Sequence, residues 1–143
     1  MTNPRRGYPC EGINLLNMFE SSVYASRRRV LLERMIGSKG IAVFVGNVDA
    51  AMNYRGNDYK FRQDSSFLYY WGIDEPWFAA VLDLETGEEC LYGNDVDIDD
   101  IIWMGPQPTV VELGAQVGVK STMPMSALAN FIAVAAAGGQ KVH

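Results

Sequence analysis

Five consecutive apolar residues, Ile41-Ala42-Val43-Phe44-Val45, stand between Gly40 and Gly46. A short run of this kind, mostly β-branched or aromatic, reads as a strand buried on both faces, which places it centrally in a sheet. The rest of the chain has to supply the layers that cover it.

Helical spacing supplies the first. Tyr24, Leu31 and Met35 recur on one face after Ser22, an N-cap residue type, and Gly37 follows, so a helix is predicted over residues 22–36. From Asn47 to Ser66 no period is visible. A loop of that length in a compact domain is functional or disordered, and Tyr54, Tyr59 and Phe61 favour an ordered one. Phe67 to Trp71, ended by Gly72, predicts a second strand, with Tyr69 and Trp71 in the sheet core. Phe78 to Leu84 predicts a third, and Glu85-Thr86-Gly87 turns it into a fourth at Glu89 to Tyr92, so these two form a hairpin.

Asp95, Asp97, Asp99 and Asp100 precede Ile101-Ile102-Trp103, which predicts a short helix with an acidic first turn. Pro106 and Pro108 then break the chain before a weak strand near Val110-Val111. A final helix runs from about Pro124 to Ala137 with Leu128, Ile132 and Ala135 as its buried stripe, and Lys141-Val142-His143 looks like the opening of another strand. The whole predicts one α/β domain over residues 21–143, a mixed sheet flanked by helices and cut from something longer. Residues 1–20 mix Pro, Gly, Arg and Asn; the expectation is a disordered leader, with Met18 as the true start.

Several function classes are excluded on physical grounds. No run approaches the roughly 18 apolar residues that cross a bilayer, and Arg5-Arg6 is not followed by the apolar stretch of a secretion signal, so the cytoplasm is the expected location. Cys10 and Cys90 lack CxxC spacing and read as free thiols. A net charge of −5 repels phosphate backbones, and Arg27-Arg28-Arg29 lies within the helical pattern as a solvated face, so nucleic acid is not an expected partner. Neither GxGxxG nor GxxxxGK[ST] occurs.

Catalytic groups are equally sparse. The single histidine, His143, is the last residue, so no Ser-His-Asp, Cys-His or multi-histidine metal arrangement can be assembled. Asp95, Asp97 and Asp99 imitate the first half of a calcium loop, but Asp100 occupies the required Gly position and Pro106 the required Glu position. No catalytic or metal-ligating residue is therefore assigned. Phe61-Arg62-Gln63-Asp64-Ser65 combines a cation, an amide, a carboxylate and a hydroxyl that could orient a ligand. The bland alternative, a loop satisfying its own backbone through Asx-type turns and an Arg–Asp pair, outweighs it. Trp103, beside the Gly105-Pro106 break, is a candidate exposed anchor, although capping a core edge would suit it as well.

The stretch Tyr59-Lys60-Phe61-Arg62-Gln63-Asp64-Ser65-Ser66-Phe67-Leu68-Tyr69-Tyr70-Trp71-Gly72-Ile73-Asp74-Glu75-Pro76 resembles the YxFRQDSxFxYLTGFxEP pattern of the amino-terminal domain of Xaa-Pro aminopeptidases. These are proline-specific metallopeptidases related to prolidase and creatinase. Tyr24 with Arg27-Arg28, and Ile102-Trp103-Met104-Gly105 against the family's I-W-x-G, extend the resemblance over about residues 20–143. Trp71 and Ile73 depart from the usual Thr and Phe, and the leader before Met18 has no counterpart.

The resemblance implies a mixed sheet with a ribonuclease H-like motif, followed in complete proteins by a catalytic domain holding two divalent metal ions, commonly manganese. The family's ligands there are two Asp, one His and two Glu, none of which can be carried over. For this domain it implies oligomer contacts and substrate selection, with Trp103 inheriting by position a contact to a neighbouring subunit's active site. The implied partners are the chain's own catalytic domain, neighbouring subunits of a homo-oligomer and a proline-containing peptide. The implied parent activity is removal of the residue before proline by metal-activated water, the fragment alone being inert. A catalytically silent interaction module of the same fold, and the N-domain of a prolidase or creatinase, are the alternatives.

Overall fold

A computed structural model describes residues 19–54, 57–97, 102 and 105–143 of the chain. Its elements run α1 (Ser21–Arg34), β1 (Ile41–Val45), α2 (Ser65–Trp71), β2 (Ala79–Asp83), β3 (Glu89–Gly93), α3 (Val110–Gln116), β4 (Ser121–Pro124) and α4 (Ser126–Ala137). The strands form one sheet in the order β1-β2-β3-β4. The first two pairings are antiparallel and the third is parallel, so the sheet is mixed. Residues 1–18 of the expected leader, Cys10 among them, lie outside the described residues.

Alternation along the strands sorts the core into two faces. Ala80 and Leu91 face α1, α2 and α3, where they meet Tyr24, Phe67, Trp71, Leu113 and Val117. Ala79, Val81 and Tyr92 point the other way, to Ala135 of α4, with Leu128 and Ile132 packed alongside as the predicted stripe requires. Helices on both faces explain why Ile41–Val45 looks doubly buried.

That strand is nevertheless the last of the four rather than a central one, and Val45 is 64% exposed at its end. The strand buried throughout is β2, whose Ala79 to Leu82 are all inaccessible. A five-residue apolar run reports cover above and below; it carries no information about neighbours in the plane of the sheet. The outer edge of β1 is engaged by the chain end. Ile41 N–H donates to the Lys141 carbonyl at 2.8 Å, His143 N–H to Ile41 at 2.9 Å and Val43 N–H to His143 at 2.9 Å, a parallel contact centred on Val142.

The predicted strand Phe67 to Trp71 is a helix. A strand would put Phe67, Tyr69 and Trp71 on one face; instead Phe67 and Trp71, four apart, are fully buried while Tyr69 is half exposed, which is the helical period. Asp64 starts the helix by accepting from the N–H groups of Ser66 and Phe67, both at 2.9 Å. Gly72, at φ 67°, ends it in the left-handed region, and a Cβ there would collide with the Tyr24 ring.

Val110-Val111 is likewise helical, as the start of α3. Thr109 and Glu112 form a reciprocal capping box, with Glu112 N–H donating to the Thr109 hydroxyl at 3.2 Å and Thr109 N–H to the Glu112 carboxylate at 2.8 Å. The Thr109 N–H and then the Thr109 hydroxyl, which donates to the same carboxylate at 3.0 Å, hold the Glu112 carboxyl below its usual range. β4 had no hydrophobic alternation to announce it, because most of its residues are exposed. The hairpin of β2 and β3 forms in the expected place, closed by Asp83, whose carboxylate accepts from Glu85 N–H at 2.8 Å and Thr86 N–H at 2.9 Å.

Candidate functional site

Residues 59–77 are organised around one side chain. Gln63 is 3% exposed and uses both ends of its amide. Its Oε1 accepts from the N–H of Asn47 at 2.7 Å and of Asp64 at 3.0 Å, while Nε2 donates to the carbonyls of Ile73 at 3.1 Å and Glu75 at 2.8 Å. A single glutamine thus ties the segment after β1, the start of α2 and the segment after α2 together. The Asn47 side chain adds a bond to the Arg62 carbonyl at 2.9 Å. Of the two readings of the FRQDS segment, backbone satisfaction accounts for Gln63 and Asp64. The Arg–Asp pair does not form, because Asp64 is committed as the cap of α2.

Arg28 corrects the reading of the arginine run as a solvated face. It is 1% exposed. Its Nε donates to Glu89 at 2.8 Å, Nη1 to the Tyr70 carbonyl at 2.9 Å and Nη2 to the Val117 carbonyl at 3.0 Å, and its guanidinium lies 4.7 Å from the Trp71 ring centroid. A buried cation is tolerable only when paired and hydrogen-bonded, and here three other elements or their ends do both. Trp71, the departure from the family pattern, is the aromatic face of that pocket, and its Nε1 is buried without a partner.

A rim follows this interior. Asp74-Glu75-Pro76-Trp77 leaves the Gln63 knot with Trp77 at φ 67°, an uncommon backbone state for a bulky residue, and 56% exposed. Trp77 N–H donates to the Asn47 carbonyl at 3.2 Å. Burial, then the charges of Asp74 and Asp49, push the Glu75 carboxyl above its usual range.

A crevice of about 260 Å³ opens at the carboxyl ends of the parallel pair β3 and β4, between Asn94, Asp95, Val110 and Thr122. Asp95 accepts from the N–H of Val110 at 2.7 Å, and Asn94 accepts from the N–H of Met125 at 3.1 Å, so both polar side chains fasten helix starts to the sheet. Asp99, Asp100 and Trp103, and with them most of the expected short helix, lie outside the described residues.

Among the described residues no cluster of three or more His, Cys, Asp or Glu side chains could hold a metal ion. Burial raises the Cys90 thiol, the opposite of an activated nucleophile. Among them, too, no helix is long and apolar enough to cross a membrane. The arrangement can hold loops rigidly and present aromatic and acidic side chains; among the described residues it does not bring a nucleophile together with a base.

Comparison with known proteins gives a consistent result. The family model described as the aminopeptidase P N-terminal domain matches residues 24–143. A probable Xaa-Pro aminopeptidase of Aspergillus flavus is 33% identical over 79 residues, covering 55% of this chain and 16% of that protein. One from Penicillium rubens is 35% identical over 75 residues, covering 51% and 15%. Among solved structures, Escherichia coli aminopeptidase P with the inhibitor Pro-Leu superposes with a TM-score of 0.69 at 22% identity, over 82% of this chain and 27% of that one. Proline aminopeptidase P II from Yersinia pestis gives 0.69 and 22%, over 81% and 27%. The chain spans less than a third of the length of each.

Proposed function

The chain belongs to the aminopeptidase P N-terminal domain family, and from that premise we propose that it is the non-catalytic recognition and assembly part of a cytoplasmic Xaa-Pro aminopeptidase. The parent removes the residue ahead of an N-terminal proline, and its chemistry resides in a catalytic domain that follows this one. The observation that carries the reading is the family match over residues 24–143 on a chain that spans 16% of a relative named as a Xaa-Pro aminopeptidase.

Bound in the parent's catalytic domain, a pair of divalent ions, manganese by family resemblance, would activate water for the hydrolysis. The described residues of this chain do not fit such a pair, since no cluster of three ligands exists among them. No step of the reaction is therefore assigned to them. Their work is positional: Gln63 and Arg28 fix the frame of the domain, and Trp103, by its position in the family's I-W-x-G element, contacts a neighbouring subunit of a homo-oligomer. There its ring lies against a proline-containing peptide, a rigid contact made at low entropic cost.

The pure 143-residue chain is expected to release no product from an Xaa-Pro peptide, with or without manganese; metal-dependent turnover would sink the reading. In the full-length parent, Trp103→Ala is expected to weaken handling of longer Xaa-Pro peptides with little change in melting temperature. If Trp103 were core, the same truncation would cost about 3–5 kcal/mol of stability and leave the kinetics of the folded enzyme unchanged.

A further inference from the structure

On the face opposite α4, helices α1 and α2 enclose a groove of about 160 Å³. Its walls are Arg27, Val30 and Arg34 from α1 and Tyr69 and Tyr70 from α2. Arg28 beneath is neutralised by Glu89, and Arg29 has Glu33 at 3.9 Å. Arg27 and Arg34 are left without a carboxylate partner among the described residues, although the chain as a whole carries −5.

Arg27 is held in place by other means. Its Nη1 donates to the Tyr69 carbonyl at 2.9 Å, and its guanidinium lies 4.2 Å from the Tyr69 ring centroid and 4.7 Å from that of Phe19. A guanidinium has five donors, so the hydrogen bond to Tyr69 leaves others for an anion. Tyr69 is 50% and Val30 39% exposed, so apolar surface lies between the two cations.

We infer that this groove docks an acidic, extended peptide segment of a partner protein, with two carboxylates four residues apart and an apolar residue midway between them on the same face. Arg27 and Arg34 are seven residues apart on α1, a rise of about 10 Å along the helix. In an extended chain residues two and four apart share a face, and four residues span about 13 Å, so carboxylates at that spacing reach both long, flexible cations while the side chain midway between them covers Val30 and the Tyr69 ring. The chain's negative excess repels a long polyanion, whereas a short segment sees chiefly the local cations within a Debye length. The inference does not rest on the peptidase reading and stands or falls separately from it.

The test titrates the isotope-labelled 143-residue chain with the blocked peptide Gly-Glu-Ser-Leu-Ser-Glu-Gly, following amide NMR shifts. Shifts at Ser26, Arg27, Val30, Tyr69 and Tyr70 are expected, with about threefold weaker binding for Arg34→Gln and further weakening in high salt. Val30→Glu, also at an exposed position, is expected to abolish binding while the rest of the spectrum stays in place. Equal shifts from the peptide with both Glu replaced by Gln, no shifts, or shifts elsewhere would overturn the proposal. So would full displacement by inorganic phosphate, which marks a simple anion site. Concentration-dependent shifts of the chain alone that Arg34→Gln removes would assign the groove to a second copy and overturn it equally.

Discussion

The interior around Gln63 and Arg28 and the rim around Trp77 and Asp95 draw on the same residue types and use them oppositely. Inside, every hydrogen-bonding group of the Gln63 amide and all three nitrogens of the Arg28 guanidinium reach backbone or a charge from a distant part of the chain. At the rim, Glu75 faces the like charges of Asp74 and Asp49, and Trp77 turns more than half its surface outwards on a left-handed backbone. The interior converts polar atoms into fixed geometry. The rim carries repulsion and exposed ring surface that a folded monomer gains nothing from, as expected of a region kept for contact with something else.

If that contrast is real, removing one interior polar group should cost far more than any change at the rim. Arg28→Ala is expected to have the largest effect, about 3–5 kcal/mol, because it strands Glu89 and two carbonyls with no donor; a denaturant titration reads it directly, and a loss under about 1 kcal/mol would break the comparison. Gln63→Leu should cost about 2–3 kcal/mol, since two N–H groups and two carbonyls lose their partner in a buried site.

Thr109→Ala, which opens the capping box of α3 at an exposed end, should cost about 1 kcal/mol in the same titration. Glu75→Gln is the smallest effect and has the opposite sign. A carboxyl raised in the folded state is ionised less readily there than in the unfolded chain, so its ionisation lowers stability as pH rises from its ordinary value of 4.5 through its folded value. The amide should therefore raise the melting temperature slightly at neutral pH and leave it unchanged well below pH 4.5; a lower melting temperature at neutral pH would place Glu75 among the interior supports instead.

The sequence was most legible where one signal decided the outcome. The hairpin turn after Asp83, the first and last helices and the strand at Ile41 each rested on a single strong pattern. Phe67 to Trp71 failed because five aromatic or apolar residues in a row carry both periods at once, and the arbiter was the Asp64 cap preceding them. At Thr109-Val110-Val111-Glu112 the capping-box spacing was present in the sequence and outweighs β-branching. Arg28 could not be told from Arg27 or Arg29 by composition, because its burial is decided by residues 42, 61 and 89 positions away. Trp103 was singled out by its place beside the Gly105-Pro106 break and then by the I-W-x-G resemblance, and it lies outside the described residues.

That reach of Arg28 has a consequence for how the chain folds. Its guanidinium is fully satisfied only when residues 70, 89 and 117 are all in place. Contacts so distant in sequence close late, after the hairpin of β2 and β3, which needs only a short turn. Before that the arginine is better left in water, so it should contribute little to the folding transition state and much to the barrier against leaving the native state. In a chevron experiment Arg28→Ala should raise the unfolding limb and leave the folding limb nearly where it was; a mainly slower folding limb would mean that the cation is gathered in early. The residue that carries the largest buried charge in the described part of the molecule would then act as a latch on its lifetime.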